Sequence, residues 1–235
     1  MNFKLILFLM MAMLVQSYFY ISTQSALSAF PFLDGVPITS SSVIESKYLI
    51  QWYFPVFFIL LYFSGGIKRE LVSNGIPFLI RNDRKGTWFI RKLAVIFFMT
   101  ILFILFQLSV YMVLAEKLPD ISVYCWLLLL YFLSIFAAIS FQILLDMYIA
   151  PQHSLLLTNI LIIISILIHT RVANSGIYAL AYALLIPQGM GLRNGMVEGD
   201  TLLHTNILVS FATTILFIMI TLAIAGRKMK KMDIY

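Results

Sequence analysis

An all-α polytopic membrane protein is what three properties of this sequence predict: 62% hydrophobic residues, only 11% charged ones, and a mean hydropathy of +0.98 over 235 residues. Soluble domains average about 45–50% apolar and about 25% charged residues. So few polar side chains cannot cover a compact surface in water, and the bilayer must be the main solvent.

About 20 apolar residues cross a hydrocarbon core roughly 30 Å thick. Six such runs are present: Leu5 to about Ser22, Tyr48 to Gly66, Leu93 to Ala115, Ile121 to Leu145, Ser154 to Thr170 and about Thr201 to Gly226. Helical faces carry little information here because lipid and neighbouring helices are both apolar, so length and flanks make the assignment. No connection is long enough for a soluble domain, and 1–235 reads as a single transmembrane domain.

Lys and Arg in the connections set the orientation. With the N-terminus inside, twelve basic residues fall on the cytoplasmic side (Lys4, the stretch Lys68 to Lys92, and Arg227 to Lys231), leaving four outside among six acids. The positive-inside rule therefore predicts both termini in the cytoplasm. The formal charge of +6 is explained by topology, and nucleic-acid binding is not expected. A competing reading of the first run is a cleaved signal peptide, with Ser25-Ala26-Leu27-Ser28-Ala29 as the small-residue site. That run exceeds the usual h-region of about 7–15 residues, which favours a retained helix.

Two connections stand out. Ile67 to Lys92 mixes seven basic residues with Leu71, Ile76, Phe78, Leu79 and Ile80. A helix is expected from Lys68 to Ser73, a break at Asn74-Gly75, and a second short helix from Pro77 to Ile80. Obedience to the positive-inside rule explains the charge; the apolar residues suit a segment lying at the membrane face and offering a surface to a cytosolic partner. The connection from Arg171 to His204 holds about a dozen apolar residues ending at Pro187, too short to span, then a Gly-rich turn containing Arg193. It fits a re-entrant half-helix before the sixth span, or an amphipathic stretch on the outer face.

Catalytic machinery is not expected. There is no HExxH, GxSxG or GxxxxGK[ST] sequence and no intramembrane aspartate pair, and Cys125 is the lone cysteine. Asp146, His153, His169, Arg171 and His204 fall at span ends, where an interfacial role in contact with water or headgroups is expected. Within the spans the uncharged polar residues are Gln107, Ser109, Ser134, Ser140, Gln142, Thr158, Asn159, Ser165, Thr213, Thr214 and Thr221, and hydrogen bonds between helices are expected to explain most of them. Should a translocation path exist, Gln107, Gln142 and Asn159 are its polar candidates, because an amide in lipid needs a partner.

The six-span order, with a basic connection after the second span and a half-helix before the sixth, resembles the membrane subunit of ABC-2-type transporters. The local residues that carry the resemblance are Arg69-Glu70, Gly75, Leu79-Ile80-Arg81, Arg84, Trp88 and Arg91-Lys92. It implies a permease dimerised with a second copy of itself or a related chain, and a short cytoplasmic coupling helix between the second and third spans. Two cytosolic ABC ATPase subunits would dock there through Arg69, Glu70, Gly75, Phe78, Arg81 and Arg84, driving export of an amphipathic or hydrophobic substrate. It implies no cofactor on this chain, with ATP and Mg held by the partner ATPase. The small size is similar to bacterial permeases for antimicrobial-peptide export or immunity. The alternative is a stand-alone membrane protein, either the substrate-binding component of an importer or a non-transporting immunity protein.

Overall fold

The computed structural model describes residues 7, 10–12, 14–18, 31–38, 46–73, 85–114, 121–175, 178–196 and 205–231. Every regular element among them is helical. Ten helices are delimited: α1 (Pro31–Asp34), α2 (Ser46–Phe63), α3 (Gly66–Ser73), α4 (Lys85–Leu114), α5 (Ile121–Asp146), α6 (Pro151–Ser175), α7 (Tyr178–Ala181), α8 (Leu185–Gln188), α9 (Gly191–Asn194) and α10 (Ile207–Lys231). Among the described residues five stretches are long and apolar enough to cross a membrane: Ser46–Glu70, Lys85–Val113, Tyr124–Asp146, Pro151–Ala173 and Ile207–Lys231. Within the first apolar run, residues 14–18 are helical and only one face is covered, with Ala12 and Gln16 buried while Leu7, Met10, Met11 and Leu14 are exposed.

These helices outrun the apolar stretches that reveal them. α4 begins at Lys85, eight positions before the expected Leu93, and α10 continues to Lys231. The physical reason is length: the 30 residues of α4 extend about 45 Å, and hydrocarbon needs only about 30 Å of that. Hydropathy reports the hydrocarbon part alone, so the turns carrying Lys85, Arg91, Lys92, Arg227 and Lys228 stay hidden as helix.

α5 is the central post. Of its most apolar window 72% is buried inside the protein, against 22% for α10 and 33% for α4. Helices α2, α4, α6 and α10 surround it, while α4 and α10 turn Phe98, Val113, Leu208 and Met219 outward. The rings of Phe97, Phe132 and Phe136 interlock α4 with α5 at centroid distances of 5.0–5.9 Å.

Most Ser and Thr hydroxyls within the spans do not bridge helices, although Ser154 of α6 donates to the Gln142 carbonyl of α5 at 3.1 Å. Ser134, Ser140, Thr158, Ser165, Thr214 and Thr221 donate to carbonyls three or four residues back on their own helix. In an environment without water, that local bond satisfies a short side chain without requiring a partner helix. The longer amides do cross between helices, as described below.

Candidate functional site

The two ends of the bundle are built differently. At one end the described basic residues Lys68, Arg69, Lys85, Arg91, Lys92, Arg227, Lys228, Lys230 and Lys231 gather; the opposite end has Lys47, Arg171 and Arg193.

At the basic end the chain breaks between α2 and α3 at Ser64-Gly65. Gly65 has φ +64°, and a Cβ there would lie 2.7 Å from Cγ of Pro151. Only glycine combines that left-handed backbone with such close approach to the α5–α6 turn. Asp146, buried at the end of α5, accepts a hydrogen bond from the Gly65 N–H through Oδ2 at 3.0 Å. Lys68 Nζ donates to the Ile149 carbonyl at 3.1 Å, and Ser64 Oγ to the Pro151 carbonyl at 3.3 Å. The α2–α3 break and the first turn of α3 are thus fastened to the end of α5 and the α5–α6 turn by three hydrogen bonds, two from Ser64 and Gly65 and one from Lys68.

Of the six residues that the resemblance assigns to ATPase coupling, Arg69 and Glu70 lie on α3; Gly75, Phe78, Arg81 and Arg84 lie outside the described residues. Arg69 is exposed, and its guanidinium donates to the Ser64 carbonyl at 2.7 Å, across the α2–α3 break. Glu70 pairs with Lys92 of α4, whose ammonium also stands 5.8 Å from the Trp88 ring centroid. α3 therefore contacts both flanking elements: the α5–α6 turn through Lys68, and α4 through Glu70. The expected helix over Lys68 to Ser73 is present one turn's edge earlier, from Gly66. The second short helix expected from Pro77 to Ile80 lies outside the described residues.

The three path candidates are buried but not gathered around one cavity. Gln107 on α4 accepts from the Tyr131 hydroxyl of α5 at 3.2 Å. Gln142 on α5 donates to the Leu60 carbonyl of α2 at 3.0 Å. Asn159 on α6 accepts from the Tyr53 hydroxyl of α2 at 2.7 Å and donates back to the Leu155 carbonyl at 2.7 Å. Each amide joins a different pair of helices.

At the opposite end, the connection expected to form one re-entrant half-helix is three single turns, of which α8 packs on α5 and α6, α7 on α6, and α9 on α8 and α1. Gly189 explains the fit: a Cβ there would stand 2.1 Å from Ser134 Oγ and 3.2 Å from the Tyr131 Cα. Irregular backbone is tolerated at such depth only when its polar groups are met by protein. Gln188 meets the Tyr182 carbonyl at 2.6 Å, and Asn194 meets the Gln188 carbonyl at 2.9 Å and the Met196 N–H at 2.9 Å.

Arg193 closes this region. It reads from sequence as one of four basic residues of the outer connections, in a Gly-rich turn, and it is fully buried. Its Nε donates to the Val36 carbonyl at 2.6 Å, Nη1 to the Ile166 carbonyl at 2.9 Å, and Nη2 to Thr170 Oγ1 at 3.1 Å. Burial lowers its pKa to about 9, which still leaves a cation at neutral pH. One side chain thereby ties the α1 loop, α6 and α9 together. His169 and Asp146, expected at interfaces in contact with water, are likewise buried, because the hairpin covers the one and the α2–α3 break covers the other. The only advance sign of Arg193 was a cation spaced among Gly189, Gly191 and Gly195, residues that allow backbone to pack closely.

Among the described residues no three His, Cys, Asp or Glu side chains come together. Among the described residues, five long apolar helices, four of them packed around a buried central one, with basic residues concentrated at one end, define the class: a multi-pass helical membrane protein. Within it, the chain belongs to the family of proteins of unknown function DUF2705, whose pattern matches residues 9–235. It is similar to the uncharacterized protein YybK of Bacillus subtilis (strain 168), with 27% identity over 218 residues, covering 88% of this chain and 86% of that protein. No solved structure matches it significantly.

Proposed function

We propose that this chain is the permease subunit of an ATP-driven exporter in a bacterial cytoplasmic membrane, moving an amphipathic or hydrophobic substrate such as a peptide or lipid-like molecule. In this reading the first apolar run is a sixth span, both termini are cytoplasmic, and the α7–α9 hairpin is re-entrant from outside. A second permease copy completes the path, and two cytosolic ABC ATPase subunits, which bind the ATP and Mg, dock at the basic end.

The observation that supports this most directly is the construction of α3. It is a short helix bent away from α2 at a glycine, and it is fastened to the α5–α6 turn by Lys68 and to α4 by Glu70. A force applied to α3 by a soluble partner would reach α2, α4, α5 and α6 at once. That is the mechanical requirement for a rigid-body change of access in a helical bundle. Arg69 and Glu70 stand on the accessible side of this helix, where charge can select a partner.

The test is co-purification of the tagged chain with a P-loop ATPase encoded beside it, followed by ATPase activity of the reconstituted pair with candidate peptides. Charge reversal at Arg69 and Glu70 should abolish the association while leaving the membrane subunit folded. A chain that captures no such ATPase, or an association indifferent to those reversals, sinks the reading in favour of a stand-alone membrane protein.

A further inference from the structure

Between α6 and α10, which flank α5, lies a cavity of about 300 Å³. Its floor is Ala137 and Ala138 of α5, its walls include Leu161 and Ile164 of α6 and Phe217 of α10, and residues 183–186 of the hairpin line it as well. Two successive alanines on the most buried helix leave room where its neighbours carry Ile135, Phe136 and Ile139. The two hydroxyl residues in the lining, Thr158 and Ser165, are already committed: Thr158 donates to the Ser154 carbonyl at 2.9 Å and Ser165 to the Ile162 carbonyl at 2.7 Å. The lining therefore offers no free donor to a polar ligand, and it suits hydrocarbon.

Length and charge specify which hydrocarbon. Along α6 the lining runs from Thr158 to Ile168, about 15 Å at the helical rise, or half of a hydrocarbon core roughly 30 Å thick. That is the depth of one leaflet, the space an acyl chain occupies. Leu161, Ile164 and Ile168 are 44%, 46% and 40% exposed, so the cavity opens toward the lipid-facing surface. One turn beyond Ile168, on the same face, stands Arg171, which is exposed and has no hydrogen bond or ion pair with any described residue.

We propose that this cavity is a binding site for a phospholipid of the surrounding leaflet, with one acyl chain laid over Ala137 and Ala138 and the phosphate held by Arg171. The site does not depend on the exporter reading. A guanidinium at headgroup level makes a charge-assisted hydrogen bond to phosphate, and the acyl chain gains close contact that free lipid lacks at a convex helix surface.

The experiment uses the full chain in phosphatidylethanolamine and phosphatidylglycerol vesicles doped with phosphatidylglycerol bearing a diazirine on one acyl chain. Adducts mapped by mass spectrometry are expected on residues 161–168 and 183–186 above the level at the exposed Leu216 and Met219. Ala138→Phe, which fills the floor, should remove the first set and leave the second. Ser165→Leu fills the cavity from the opposite wall and keeps the test decisive if the first variant does not fold. Arg171→Gln should lower phospholipid adducts roughly tenfold, the loss of one charge-assisted bond, while a diacylglycerol with the same chain is unaffected. Adducts spread evenly over the lipid-facing surface, or unchanged in both filled variants, overturn the proposal. So does efficient disulfide formation between copies carrying Ser165→Cys in a Cys125→Ser background, which would assign the cavity to a second copy.

Discussion

Both ends of the bundle hold a break in helical structure against the α5 post, but they satisfy it differently. At the basic end the break is a single residue, Gly65, its N–H met by the Asp146 carboxylate, and the charged side chains beyond it remain partly exposed. At the opposite end the break runs through three one-turn helices, and a fully buried guanidinium spends its donors on two carbonyls and a hydroxyl from other segments. The first arrangement holds α3 at its start and, through Glu70, to α4, and leaves Arg69 exposed. The second fixes a plug. A helical membrane protein that must move at one end and seal at the other would divide its polar groups in this way.

The comparison is most easily broken at Arg193. Arg193→Ala leaves the Val36 carbonyl without its Arg193 donor, leaves the Ile166 carbonyl only the bond from Thr170 Oγ1, and empties the volume of a fully buried side chain, and should cost about 3 kcal/mol or more. Arg193→Lys keeps the charge but replaces a planar fork by a point donor, so an intermediate loss is expected. Unfolding in mixed detergent micelles measures both. A variant as stable as the native chain would show that the plug is held by packing alone.

Next in size is the close approach at Gly189. Gly189→Ala must displace Ser134 Oγ, and the Tyr131 backbone behind it limits how far the hairpin can retreat. Overpacking of this kind costs about 1–3 kcal/mol. Because one of the two obstacles is a side chain, Ser134→Gly should restore part of the loss in the double variant. Equal losses with and without Ser134 would place the strain entirely on backbone.

Gly65→Ala is the matching change at the basic end. The left-handed backbone costs a side chain about 1–2 kcal/mol, and the added methyl also meets Pro151. The outcome expected differs in kind from Gly189→Ala. Proteolysis should increase within and after α3 while the bundle stays folded, because beyond its junction with the α5–α6 turn α3 is held to α4 by the partly exposed Glu70–Lys92 pair. Global unfolding instead would mean that the hinge is part of the core.

The contrast also explains what the sequence revealed. The helices after residue 46 were legible because hydrocarbon selects uninterrupted apolar length, a signal contained in each segment by itself. Their polar ends were not, since Lys85 to Lys92 looks like a loop until the extra turns of α4 are seen. A helix ahead of the Asn74-Gly75 break signal was legible from local backbone chemistry, expected over Lys68 to Ser73 and described over Gly66–Ser73, while the break itself lies outside the described residues. The Arg193 knot was invisible: its partner Val36 is 157 residues away, and nothing local distinguishes a buried Arg in a Gly-rich turn from a solvated one. Gln107, Gln142 and Asn159 each have a partner on another helix, but which helix each would reach is a fact of packing.

The smallest effect on stability separates structure from coupling. Glu70 and Lys92 are 46% and 30% exposed, and a pair this open contributes about 0–1 kcal/mol, less as salt rises. Glu70→Gln and Lys92→Gln should each leave unfolding within about 0.5 kcal/mol of the native chain, and a double-mutant cycle should find little interaction energy at high salt. If α3 receives force from a soluble partner, however, this pair carries motion from α3 into α4, and breaking it should lower substrate-stimulated ATPase activity of the assembled pair. The charge-swapped variant Glu70→Lys with Lys92→Glu remakes the contact with reversed polarity. It should recover activity only if the two residues act through each other; recovery absent in the swap, with folding intact, would assign Glu70 to direct contact with the partner.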